Sequence, residues 1–233
     1  MTLEQLVKQL AAAYGPRLAC VVLYGSAAAG EQIPDRSDYN VLVLLDRIES
    51  ALLEAAAPIA RAWREAGNPP PMTMTVHEWQ RSSDIFPMEY ADILDRHKVL
   101  HGEAPFAGIV VAPADLRLQL EQQLFGKLLQ LRQGVLLAGR DTKRQTELLS
   151  GSVSTVLVLC RAVLRLHGEQ PTGDGAAVAA RVGTIAGFDP APVVRAWNQA
   201  RSKGGAMGDA SVVLGQYLAV LERLNMYLDQ YPA

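Results

Sequence analysis

Several things are scarce in this 233-residue chain, and each scarcity narrows what it can do. There are two cysteines, Cys20 and Cys160, and both lie in apolar runs. That usage fits buried small hydrophobes in a reducing compartment and excludes a disulfide-stapled secreted scaffold. Charge of one sign is scarce as well: the formal net charge is -2. A chain so balanced has no electrostatic footprint for nucleic acid, so no nucleic-acid partner is expected. Apolar runs are interrupted by charge, as by Arg161 and Arg165 in the longest one. No membrane span is expected. Thr2-Leu-Glu-Gln5 reads as a helix capping box, and Glu4 and Lys8 break any signal-peptide core. A cytoplasmic protein is the expectation. Internal repeats and low-complexity segments are absent, and the four histidines match no metal-binding helix spacing. What is plentiful is apolar residues, 49% of the chain, enough for a sizeable core.

The most informative stretch is Leu23-Tyr-Gly-Ser-Ala-Ala-Ala-Gly30, followed by Ser37-Asp38-Tyr39-Asn40 and the apolar run Val41 to Leu45. Leu18 to Tyr24 is a continuous apolar run, the pattern of a strand covered on both faces. Gly25 permits a tight turn, and Ser26 can cap a short helix after it. Such a turn offers backbone N–H groups to a phosphate. Asp38 and Asn40 are two residues apart at the mouth of a second strand, so their side chains share one face. Tyr39 between them points the other way, into the core. Met72-Thr-Met-Thr-Val76 alternates as a third strand, with Thr73 and Thr75 on one face.

This pattern resembles the nucleotidyltransferase superfamily that includes DNA polymerase beta, and in particular its aminoglycoside adenylyltransferase-like and kanamycin nucleotidyltransferase-like members. Gly25-Ser26, Gly30 and Ser37-Asp38 match the motif. The resemblance implies an α+β fold: an N-terminal mixed sheet flanked by helices over 1–112, then an antiparallel helical bundle over 113–233. The chain itself turns almost wholly to helical periodicity near Pro113. The resemblance further implies nucleotide binding at Gly25, Ser26, Ser37 and Asp38, magnesium held by Asp38 and Asn40, and ATP or another nucleoside triphosphate as substrate. Catalysis would fall to Asp38, Asn40 and Glu89, with Glu89 as general base for an acceptor hydroxyl.

The chain departs from the family at two acidic positions. The second carboxylate of the motif is Asn40, and the third-strand carboxylate is matched to Thr73. Magnesium takes hard, preferably anionic oxygens, so weak or absent metal binding is expected. The implied activity is slow transfer of NMP to a hydroxyl of an unidentified small-molecule acceptor. The alternative is an inactive relative acting as a nucleotide-binding or interaction module. Asp35, Asp84 and Glu89 are the acids that could supply a missing charge. Pairing of two chains to complete the cleft stays open, and so does the acceptor.

Overall fold

A computed structural model of the chain describes residues 1–28, 39–201 and 208–232. It divides into two compact units, Met1–Ala112 and Pro113–Ala233.

The first unit is a four-stranded mixed sheet with helices on both faces. It opens with α1 (Leu3–Tyr14), started by Thr2, whose side chain accepts from the Gln5 N–H while the Gln5 side chain answers the Thr2 N–H. Then come β1 (Leu18–Tyr24), β2 (Asn40–Leu45), α2 (Ser50–Glu65), β3 (Met72–Thr75), α3 (Val76–Arg81), α4 (Pro87–Asp95) and β4 (His97–Gly102). The strand order is β3-β2-β1-β4. β1 pairs antiparallel with both β2 and β4, and β2 pairs parallel with β3 through the α2 crossover. Strand alternation sends Leu23, Val41, Val43 and Leu45 to a core shared with Leu6, Leu10, Tyr14 and Trp63 of α1 and α2. It sends Cys20, Val22, Leu42 and Leu44 to a second core with Trp79, Tyr90 and Ile93 of α3 and α4. Continuous apolar strands are what a sheet covered on both sides needs.

Two short helices join β3 to β4. α3 starts directly after β3, at Val76, capped by Thr75, and a turn separates it from α4. Pro87 opens α4 because its missing N–H costs nothing in a first turn.

The second unit is a helical bundle: α5 (Pro113–Ala138), α6 (Thr142–Leu166), α7 (Gly175–Ala186), α8 (Ala191–Arg201) and α9 (Ala210–Asp229). Asp141, Asp174 and Asp209 cap α6, α7 and α9, each carboxylate accepting backbone N–H groups of the first turn. α6 corrects one expectation. It is long and apolar enough to cross a membrane, with a mean hydropathy of 1.6 over its best window. That apolarity serves the bundle: 56% of the window is buried, and α5, α7, α8 and α9 all pack on it. Both cysteines are free and buried. Burial pushes the Cys20 thiol up to about 11 and the Cys160 thiol to about 12, so neither is a ready nucleophile.

Candidate functional site

The site is assembled where β1 ends. The backbone leaves Tyr24 and turns at Gly25 with φ 76°, a left-handed conformation suited to glycine. Tyr24 is paired with Asn40 on one side and His97 on the other, so Gly25 emerges between the first residue of β2 and the end of α4. Its N–H donates to the Arg96 carbonyl at 3.3 Å. A Cβ at Gly25 would lie 3.6 Å from the Asn40 side-chain amide and 3.6 Å from the Asp92 carboxylate. The absence of a side chain at Gly25 leaves that space between an amide and an acid.

Asn40 faces this space because it shares strand parity with Leu42 and Leu44, which pack under α3 and α4. Tyr39 points to the opposite core. Its ring lies 6.0 Å from Trp63, and its N–H donates to Asn68 Oδ1 at 3.0 Å.

α4 is anchored by its inner face. The Tyr90 ring stacks on Trp79 at 4.0 Å, and its hydroxyl donates to the Trp79 carbonyl at 2.6 Å. Ile93 is fully buried. Glu89, Asp92 and the C-cap Arg96 follow one another at spacings of three and four, so they form a row beside the buried one. Asp92 accepts from Arg96 Nη2 at 2.8 Å, with the two side chains 26% and 13% exposed. The sequence reading singled out Asp35, Asp84 and Glu89 as substitute acids and passed over Asp92. The i, i+3 step from Glu89 to Asp92 puts the two acids on one side of α4, but it does not say which of them reaches the turn.

The turn after β1 is a short 3-10 helix, Gly25–Ala27, preceded by Tyr24, whose side chain makes no cap; the Ser26 side chain, expected to cap a short helix, lies outside the described residues. The first N–H of the turn is already committed to Arg96. Thr73 does not belong to the acidic face. It is paired with Val43, and paired residues of adjacent strands point to one side, so Thr73 faces α1 and α2. Its hydroxyl donates to the Pro71 carbonyl at 3.3 Å. The β3 residues on the side of Asn40 are Met72 and Met74, thioethers packed into the second core. Ser37, Asp38, Gly30 and Asp35 lie outside the described residues, and of Ser26 only the backbone is described.

Among the described residues, no group of three or more His, Cys, Asp or Glu side chains could hold a metal ion. Beside Gly25 stand the neutral Asn40 amide, its nitrogen toward the glycine, and the Asp92 carboxylate, whose charge Arg96 balances, so the two described side chains there bring little net negative charge for a cation. A cavity of about 230 Å³ in the second unit, between α5 and α6, is lined by Lys127, Gln130, Glu147, Leu148 and Ser152 among others. Ser152 is spoken for, bonding the Leu149 carbonyl and the Tyr217 hydroxyl.

A mixed sheet of this order, a glycine turn at the end of its central strand, a polar residue opening the next strand, and a helical bundle following in the chain define the nucleotidyltransferase fold. A solved structure confirms that fold: spectinomycin adenyltransferase AAD(9) from Enterococcus faecialis, determined with ATP and spectinomycin. It matches over 97% of this chain and 98% of its own, with a TM-score of 0.61 and 12% identity. At that identity the likeness establishes shared architecture. No protein-family model matches the chain, and no curated protein matches it in sequence.

Proposed function

We propose that the chain is a slow small-molecule nucleotidyltransferase, passing NMP from a nucleoside triphosphate to an acceptor hydroxyl. One observation carries the reading: within a nucleotidyltransferase fold, the Asn40 amide and the Asp92 carboxylate converge on the glycine turn at Gly25. The triphosphate lies against the turn at Gly25 and Ser26, with Ser37 and Asp38 as its further contacts. Asp38 and Asn40 are the residues that would hold a magnesium ion, which supplies neutralisation of phosphate charge when bound. Glu89 accepts the proton of the acceptor hydroxyl as its oxygen bonds to the α-phosphorus. The bond from that phosphorus to the bridging oxygen breaks, and pyrophosphate leaves. Arg96 holds Asp92 beside the turn and keeps the local charge near neutral.

Slowness follows from charge. Catalysis of this class is chiefly positioning and electrostatic stabilisation, and this site has fewer acids than its family uses. AAD(9) was solved with spectinomycin, so hydroxyl-bearing small molecules of that kind are the first acceptors to assay. An ATP-using enzyme of this type works in the cytoplasm.

The deciding experiment is release of pyrophosphate from ATP with a panel of hydroxyl acceptors, paired with calorimetry of ATP with and without magnesium. Magnesium-dependent binding with acceptor-dependent release, both lost in Asp38→Ala, is the expected result. The Asp92–Arg96 pair favours a second reading, an inactive module that binds nucleotide or a partner. ATP binding indifferent to magnesium, with no release, selects it. Absence of ATP binding under either condition overturns the nucleotide reading.

A further inference from the structure

α5 is apolar on two opposite faces. Leu116, Leu120, Leu124, Leu128, Leu131 and Ala138 are buried in the bundle. Leu118, Phe125, Leu129 and Leu136 are 65%, 46%, 42% and 83% exposed. The exposed four follow spacings of seven, four and seven, so they form one straight stripe on the side away from the core. At 1.5 Å per residue the stripe is about 27 Å long. Scattered exposed leucines need no explanation, but a continuous row of large apolar side chains marks an interaction surface.

The order of the spacings identifies the occupant. Seven, four, seven reads the same from either end. A surface that is its own reverse is complementary to a second copy of itself across a two-fold axis. We propose that two copies of this chain pair through α5, antiparallel, about an axis level with residue 127. Leu118 then packs on Leu136 of the second copy, and Phe125 packs on Leu129 of the second copy.

The flanking charges fit the same axis. Glu121 and Arg132 lie on one flank of the stripe, by helical phase, and the axis brings Glu121 beside Arg132 of the second copy. Within the chain Arg117 holds Glu121 at 2.9 Å and Glu222 holds Arg132 at 2.8 Å. Across the axis the two ion pairs alternate in sign, so the flank attracts. Met226, 52% exposed on α9, falls between the points where α9 meets Arg132 and Arg117, and it widens the apolar patch.

Sedimentation equilibrium of the full chain over a wide concentration range tests this. The mass is expected to rise from 25.2 kDa toward twice that value. Leu129→Glu is expected to weaken pairing about a hundredfold, since a central apolar anchor is lost from both copies. Its circular dichroism should not change, because Leu129 is outside the core, while its melting should fall to that of the dissociated chain. A cysteine pair supplies a second measurement should that variant fold poorly. Leu118→Cys mixed with Leu136→Cys should cross-link on oxidation, and neither alone should. Cys20 and Cys160 are buried and stay silent. A monomer at every concentration overturns the proposal; that is the result expected if the N-terminal unit or another protein covers the stripe. A dimer that survives Leu129→Glu, or cross-linking by either single cysteine variant alone, overturns it as well.

Discussion

At the scale of single residues, three positions around one turn decide what this site can do. Gly25 uses a left-handed backbone, and the side chain it lacks leaves the gap between Asn40 and Asp92. Gly25→Ala places a methyl 3.6 Å from each, which is ordinary contact, so only backbone strain counts. The expected loss of stability by urea unfolding is about 1 kcal/mol. ATP affinity should fall by more than that strain alone implies, because the methyl fills the gap. Asn40 is the charge defect. Asn40→Asp adds an anionic oxygen without changing shape, and it should tighten magnesium-dependent ATP binding about tenfold, or about 1.4 kcal/mol, by calorimetry. Unchanged affinity would place the nucleotide elsewhere. Asn40 as the departure from the family was legible in the residue string. Asp92 was not, because nothing local marks which residue of a helix reaches back to a turn more than sixty positions earlier in the chain.

Elements show where periodicity suffices and where pairing must be known. β3 alternates so plainly that its existence and the shared face of Thr73 and Thr75 were legible. Which sheet face that was depended on register with β2, and register puts Met72 and Met74 beside Asn40's side instead. No sequence periodicity carries that parity, since a one-residue slip reverses it. The start of α3 had a local signal: Thr75 followed by Glu78, a capping box whose two hydrogen bonds are 3.0 and 2.7 Å. Thr75→Ala removes the hydroxyl acceptor and should cost about 1 kcal/mol in urea unfolding. A neutral result would mean that Trp79 packing alone sets the helix start.

For the whole molecule, opposite shifts at two sets of groups define a pH window of stability. Asp46, Glu78 and Glu169 are held below their ordinary values by the Arg17 side chain, the Thr75 N–H and the Arg181 side chain respectively. Each stays charged in the folded chain at a pH where the unfolded chain takes up a proton. Their contribution is therefore full above the ordinary value, 4.5 for the glutamates, and is lost as the pH falls below it. Burial raises Cys20, Cys160 and Tyr90 to about 11, about 12 and about 12. Those groups stay protonated when folded while the unfolded chain ionises, so stability declines as the pH rises from the ordinary thiol value of 9.0. The melting temperature should be flat between these limits and fall on both sides. A decline beginning near neutrality would point to a histidine instead.

Read alone, the residues determined the architecture: apolar strand runs, aspartate and threonine caps, and the change to helical period near Pro113 are local signals, set by backbone and nearest-neighbour physics. They also determined that the site is poor in acids, since composition is read directly. Only the tertiary structure decided which side chains meet. Asp92 and Arg96 at the turn, Thr73 on the far face of the sheet, and the apolar stripe left outside the bundle core all depend on register and helix rotation. Those are fixed by packing between segments distant in the chain, where a single step of slip exchanges the inside for the outside.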